Sequence, residues 1–162
     1  MIEIFASSLS DTHQTAESVA EIVKSGDLIL LVGDLGAGKT AFTQGFGASL
    51  GVKEAITSPT FTLARTYQGT LEIHHLDVYR IDQIEEVRDL ALPELFEGNS
   101  VTLIEWGDQI ISALPKDHLE ISFEYGEADS ARVITISANG SSWNSRMSDL
   151  IQKLEIKGLS KC

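Results

Sequence analysis

The stretch Gly33-Asp-Leu-Gly-Ala-Gly38-Lys39-Thr40 constrains this chain more than any other. It fits the pattern G-x-x-x-x-G-K-[ST], and it stands in the setting that gives the pattern meaning. Before it runs Leu28-Ile29-Leu30-Leu31-Val32, aliphatic without polar alternation, which predicts a strand buried on both faces. After it, the stretch from about Lys39 to Leu50 predicts a helix closed by Gly51. A strand that turns through glycines into a helix start makes an anion cradle. Glycines admit backbone angles closed to other residues, so the amides of residues 36–40 can point inward. The helix adds the positive end of its dipole. Lys39 brings a full charge to the β- and γ-phosphates of a nucleotide, and the Thr40 hydroxyl is a ligand for Mg²⁺. Gly33, Asp34, Gly36, Ala37, Gly38, Lys39, Thr40 and Ala41 are therefore the candidate nucleotide-binding residues of this segment.

Composition narrows the setting. The 162 residues suit one domain spanning 1–162, and 43% hydrophobic with 22% charged residues is ordinary for a globular protein. Twelve Lys+Arg against 24 Asp+Glu leave a net charge of −12, which repels nucleic acid and anionic lipid. The one cysteine, Cys162, rules out an intrachain disulfide and a cysteine-based zinc site. The start MIEIFASSLSDTHQTAE lacks a basic head and an apolar run, and the longest aliphatic run is far short of the ~20 residues that a bilayer needs. A cytoplasmic protein without a membrane span is expected.

Along the chain, residues 2–6 read as a strand. Ser10 or Asp11 caps a helix with Ala16, Val19, Ala20 and Val23 on one face, and Gly26 stands where it would end. Residues 61–67 and 70–76 flank Gln68-Gly69 as a β-hairpin. A helical stretch from about 82 to 97, broken by Pro93, leads to the buried strand Val101-Thr-Leu-Ile104, with a short helix after Trp106. Residues 119–125 and 132–138 alternate as a second antiparallel pair, with Leu119, Ile121, Phe123 and Tyr125 on one face, and the tail 141–155 is helical. Strands alternating with helices, mixed with hairpins, predict a three-layer α/β P-loop NTPase fold. Its central sheet is mixed and mostly parallel, with antiparallel hairpins.

Such a fold needs an acid at the end of a neighbouring strand. Val101-Thr-Leu-Ile-Glu105 supplies it; Glu105 either ligates Mg²⁺ through water or orients the attacking water. Trp106 beside it either stacks on a partner or closes the core. Thr57-Ser-Pro-Thr-Phe-Thr-Leu63 lies where nucleotide-sensing segments sit, although Ser-Pro is also an ordinary turn former. In His75-Leu-Asp77-Val-Tyr79-Arg80, alternation puts His75, Asp77 and Tyr79 on one face; that face is either functional or the outside of an edge strand. The guanine-reading N-K-x-D and the D-x-x-G switch of GTPases are absent, as is the transporter signature L-S-G-G-Q. Arg65, Arg80, Arg88, Arg132 and Arg146 are dispersed rather than gathered into a kinase lid. An ATPase, a small-molecule kinase and a nucleotide-gated assembly module all remain open on these residues.

Together and in this order, GDLGAGKT, TSPTFTL, HLDVYR and LIEW resemble the bacterial TsaE (YjeE) family, from about Thr12 to Arg132. The resemblance implies a compact cytoplasmic α/β ATPase, weak alone and stimulated by its partners. It implies work with TsaB and TsaD in making threonylcarbamoyladenosine at position 37 of tRNAs that read ANN codons, with tRNA met only through that complex. It implies ATP and Mg²⁺ as cofactors. Residue by residue, Lys39 and the loop amides take phosphates, Thr40 and Glu105 take the metal, and Asp77 is an acid needed for function, so Lys39, Asp77 and Glu105 form the catalytic set. Thr12 matches a threonine near the adenine pocket, Arg132 an arginine near the nucleotide, and Trp106 the neighbour of the metal-side acid. The chain departs from the family at Gly107, where proline usually follows the tryptophan.

Overall fold

The computed structural model describes residues 1–59, 64–79 and 92–159. Seven strands form one sheet: β1 (Ile2–Ala6), β2 (Leu28–Gly33), β3 (Ala64–Gln68), β4 (Glu72–Asp77), β5 (Ser100–Glu105), β6 (His118–Tyr125) and β7 (Arg132–Asn139). Their order is β1-β7-β6-β2-β5-β4-β3. The central strands β6, β2, β5 and β4 run parallel, and antiparallel partners flank them on both sides: β7 and then β1 beyond β6, and β3 beyond β4. The expected mixed sheet, parallel in its centre with antiparallel hairpins, is what forms.

The aliphatic run of β2 explains the layers. Ile29 and Leu31 belong to a core shared with helices α1 (Leu9–Ala20) and α2 (Lys39–Ser49), together with Phe42, Phe46, Leu103 and Ile121. Leu28 and Leu30 point to the other face, where Leu76, Ile104 and Ile110 wait. A strand covered on both faces has no reason to alternate polar residues. A third helix, α3 (Met147–Ile156), returns the chain to the first core through Leu150 and Leu154. Among the described residues, no helix is long and apolar enough to cross a membrane.

Several boundaries differ from expectation, each for a local reason. Helix α1 is capped by Ser8 rather than Ser10 or Asp11: the Ser8 side chain accepts from the Asp11 backbone N–H, and the Asp11 carboxylate reaches back to the Ser7 N–H and hydroxyl. The helix ends at Ala20, before Gly26, which takes its positive φ of 88° in the turn ahead of β2. The tail is two helical pieces, Ser141–Asn144 and α3, because the chain turns at Ser145 and Arg146 to seat the Arg146 guanidinium on Asp27. Tyr125, expected on the apolar face of β6, lies beyond the core at the end of the strand and is exposed. The helix expected over 82–97 falls largely outside the described residues; its described part holds a helical turn at Leu92–Leu95. Residues 60–63 and Arg80 lie outside them too.

Candidate functional site

The loop Gly33–Thr40 joins the C-terminal end of β2 to the first residues of α2. Two glycines make its path possible. A Cβ on Gly33 would stand 2.7 Å from the Phe123 carbonyl oxygen, and Gly38 turns the chain into α2 at φ 121°. Gly38 caps α2 without any side-chain bond, so the first amides of the helix keep no acceptor from a capping side chain. An uncapped helix start is where anions bind.

The loop is held from outside by the β6–β7 hairpin. The Tyr125 hydroxyl donates to the Leu35 carbonyl at 2.7 Å. Arg132 donates from Nε to the Ala37 carbonyl at 2.8 Å and from a terminal nitrogen to the Gly36 carbonyl at 3.2 Å, with its guanidinium over the Tyr125 ring. In a trans peptide the N–H points away from the C=O. Binding the Ala37 carbonyl to Arg132 therefore turns the Gly38 N–H to the opposite side. The Ala37 N–H closes the turn onto the Asp34 carbonyl at 3.0 Å.

Lys39 is 5% exposed, and its Nζ donates to the carbonyls of Gly33 at 2.5 Å and Asp34 at 2.9 Å. The ammonium also lies 4.2 Å from the centre of the Trp106 ring. Burial pushes its pKa below the usual lysine range, against the pull of Glu105, Asp77, Asp34 and Asp108.

Opposite the loop stand the C-terminal ends of β4 and β5, in register at Asp77 and Glu105. Glu105 is 2% exposed. One of its oxygens accepts from the Thr40 hydroxyl at 3.0 Å, and the other lies 3.1 Å from His75 Nε2 and 3.3 Å from the Ser58 hydroxyl. Burial pushes the Glu105 carboxyl up, but the hydrogen bonds from His75 and Thr40 with the charge on Lys39 outweigh it, leaving the group below the usual carboxylate range. Asp77 accepts from Ser58 at 3.2 Å and from the Tyr79 N–H at 3.0 Å. β4 is thus no edge strand: β3 covers it on one side and β5 on the other.

The result is a cleft of about 450 Å³, lined on one side by Leu35, Gly36 and Gly38 through Ala41 and on the other by Ser58, Asp77, Tyr79, Glu105 and Trp106. Of the residues expected at the site, Lys39, Thr40, Asp77, Glu105, Gly36, Gly38 and Ala41 meet there, while Gly33, Asp34 and Ala37 shape the loop beneath. Arg132 grips the loop from behind. Thr12 is buried on α1 and is not among the residues lining the cleft. Ser58 and His75 join the acids without having been singled out as site residues; the nearest sequence signals were the hydroxyl-rich segment 57–63 for Ser58 and the polar groups at alternate positions, 75, 77 and 79, for His75. Trp106 takes φ 64°, the left-handed region, and tilts its ring against Tyr79 at 4.8 Å. A residue before proline is pushed toward extended angles. Gly107, buried against Leu30, allows this turn instead.

The donor set suits Mg²⁺. Among the described residues no group of three or more His, Cys, Asp or Glu is placed to hold a metal. A hydroxyl and a carboxylate oxygen 3.0 Å apart at the mouth of a phosphate loop are the hard oxygen donors that Mg²⁺ takes when phosphates complete its shell.

The model of the family described as "Threonylcarbamoyl adenosine biosynthesis protein TsaE" matches residues 6–134. The chain belongs to the TsaE family. Among curated TsaE proteins, that of Bacillus subtilis is 43% identical over 131 residues, covering 80% of this chain and 81% of the relative. The Treponema pallidum TsaE is 40% identical over 130 residues, covering 80% and 96%, and the Nostoc protein is 35% identical over 156 residues, covering 93% and 92%. Each is named a tRNA threonylcarbamoyladenosine biosynthesis protein. The crystal structure of Bacillus subtilis YdiB superposes with a TM-score of 0.77 at 33% identity, covering 94% of this chain and 97% of that one. The TsaE match takes in the loop, both acids and Arg132. Helix α3 lies beyond its last residue.

Proposed function

We propose that this chain is a Mg²⁺-dependent ATPase that serves threonylcarbamoyladenosine formation on tRNA together with TsaB and TsaD. The observation that carries the reading is the Thr40–Glu105 contact at 3.0 Å in front of an uncapped helix start. It joins an anion cradle to a metal-side acid. Relatives named for threonylcarbamoyladenosine biosynthesis supply the biological context.

In this reading the amides of Gly36, Gly38, Lys39 and Thr40 take the phosphate chain of ATP, while the Ala37 N–H stays on the Asp34 carbonyl. Lys39 leaves the carbonyls of Gly33 and Asp34 and turns to the β- and γ-phosphates. Thr40 and Glu105 would hold Mg²⁺, and the metal would supply positive charge to offset that developing on the phosphates. Asp77 lies one strand over from Glu105 and shares the Ser58 hydroxyl with it. It accepts from the attacking water and orients it.

Slow turnover of the free chain follows from the arginines. Among the described residues, Arg132 is bound to loop carbonyls, Arg146 to Asp27, and Arg65 to the Thr57 hydroxyl at 2.9 Å. None lies on the cleft. An arginine that stabilises the transferred phosphoryl group is worth about 10³–10⁵ in rate, so a partner has room to accelerate the reaction. A chain at −12 leaves the holding of tRNA to that partner.

The test is phosphate release from ATP by the free chain and by the chain mixed with its own TsaB and TsaD. Release that rises on mixing and vanishes in Lys39→Ala supports the proposal. Equal rates free and complexed, or transfer of the γ-phosphate to a small acceptor, contradict it. Cellular function that survives Glu105→Ala but not Lys39→Ala would point to nucleotide-gated assembly instead.

A further inference from the structure

His75 on β4 is fully buried. Its Nε2 lies 3.1 Å from Glu105 Oε2, while Oε1 of the same carboxylate takes the Thr40 hydroxyl. Among the described residues its other ring nitrogen, Nδ1, is buried with no hydrogen-bond partner. A buried N–H without an acceptor is rarer and costlier than a bare lone pair. The ring proton therefore belongs on Nε2, where a carboxylate oxygen accepts it.

This contact has a mechanical consequence. A glutamate at a strand end has three side-chain torsions to restrain. Thr40 reaches one oxygen only, and Ser58, the third partner, is exposed and precedes a proline in the segment 57–59. Among the described residues the imidazole is the one partner that sits inside the sheet, on the neighbouring strand and two residues before Asp77. With Nε2 on Oε2, the carboxylate plane is set and Oε1 faces Thr40.

We propose that His75 is a positioning residue for Glu105: it fixes the carboxylate so that one oxygen stays with the imidazole while the other, paired with Thr40, is presented to Mg²⁺. The inference rests on the reading of Thr40 and Glu105 as the metal side of the site. Groups that orient a metal-binding residue in this way are worth about 10–100-fold in metal affinity.

The experiment reads metal binding directly. Mn²⁺ is titrated by electron paramagnetic resonance in the presence of ADP, using the wild type, His75→Leu and His75→Gln. ADP affinity is measured separately in EDTA. His75→Leu weakens Mn²⁺ by about 10–100-fold while metal-free ADP affinity holds, and His75→Gln, whose amide can donate in place of Nε2, restores it to within about threefold. Equal Mn²⁺ affinity in His75→Leu and wild type overturns the inference, as does an equal loss in Leu and Gln variants or a parallel loss of metal-free ADP affinity. A wild type that binds no Mn²⁺ with ADP overturns the metal-site reading beneath it, a different result from a wild type that binds and a variant that matches it. A second measurement needs no variant. Long-range ¹⁵N–¹H correlation of the His75 ring in the wild type shows the proton on Nε2; a bare Nε2 overturns the proposal.

Discussion

Lys39 is buried yet sits outside the apolar clusters, and burial already weighs against its charge. Replacing it removes a cation the fold does not need. Lys39→Ala lowers ATP affinity by about 10- to 100-fold, the worth of a charged hydrogen bond, while urea unfolding without nucleotide shifts by less than about 1 kcal/mol. Collapse of the apo variant would contradict this. Asp77→Asn separates binding from turnover: calorimetric ATP affinity stays close to wild type, and phosphate release falls by about 100-fold or more. The residues Lys39, Thr40 and Glu105 were legible in the sequence because each follows from chemistry tied to a motif. The His75–Glu105 contact was not, because a contact between a strand interior and a neighbouring strand end depends on the register of β4 with β5, which no local pattern states. Ser58 stood in the segment 57–63 read as nucleotide-sensing, but that reading did not name the two acids its hydroxyl meets.

At the scale of elements, the start of α1 joins a cap to a titrating group. Ser8→Ala costs about 1 kcal/mol, read from urea unfolding at neutral pH. The Ser7 hydroxyl holds the Asp11 carboxyl below the usual aspartate range, with help from the Ser7 N–H and Ser8 and against partial burial. A depressed pKa means the contribution is complete above the unfolded value of about 3.9 and is lost as pH falls through the folded one. Asp11→Ala therefore destabilises the protein at pH 7 and converges on wild type at the acid end; a gap that persists there would count against the bond. The loop and its brace make a second unit. Arg132→Ala weakens ADP and ATP alike by about tenfold, and Arg132→Lys does not restore them, since a point charge lacks the fork that reaches two carbonyls. Full rescue by lysine would mean that charge, not geometry, matters at 132. Strand and helix cores were readable from periodicity. The exact caps were not: Ser8, Ser10 and Asp11 offer the helix similar oxygens, and the choice falls to Ser8 because Asp11 can then reach back to Ser7.

Across the whole molecule, the sheet's parallel centre brings the loop after β2 and the ends of β4 and β5 to one edge, the place where open α/β sheets bind ligands. The opposite end is fastened by Arg146, whose guanidinium meets Asp27 at 2.6 and 2.9 Å and lies 3.9 Å from the centre of the Trp143 ring. Both partners are almost fully buried, so Asp27→Ala strands a charge and costs about 3–5 kcal/mol in urea unfolding. A cost below about 1 kcal/mol would show that α3 holds by its apolar face alone. The strand-and-helix alternation revealed the layers, whereas this long-range ion pair left no trace in local sequence. The central claim is that the loop 33–40 is a phosphate cradle. It is tested most directly by titrating ¹⁵N-labelled protein with ADP and Mg²⁺ and following backbone amides. The account predicts saturable shifts at Gly36, Gly38, Lys39 and Thr40, absent from Lys39→Ala at the same concentrations. Unmoved loop amides in the wild type, with nucleotide bound elsewhere or not at all, would contradict it.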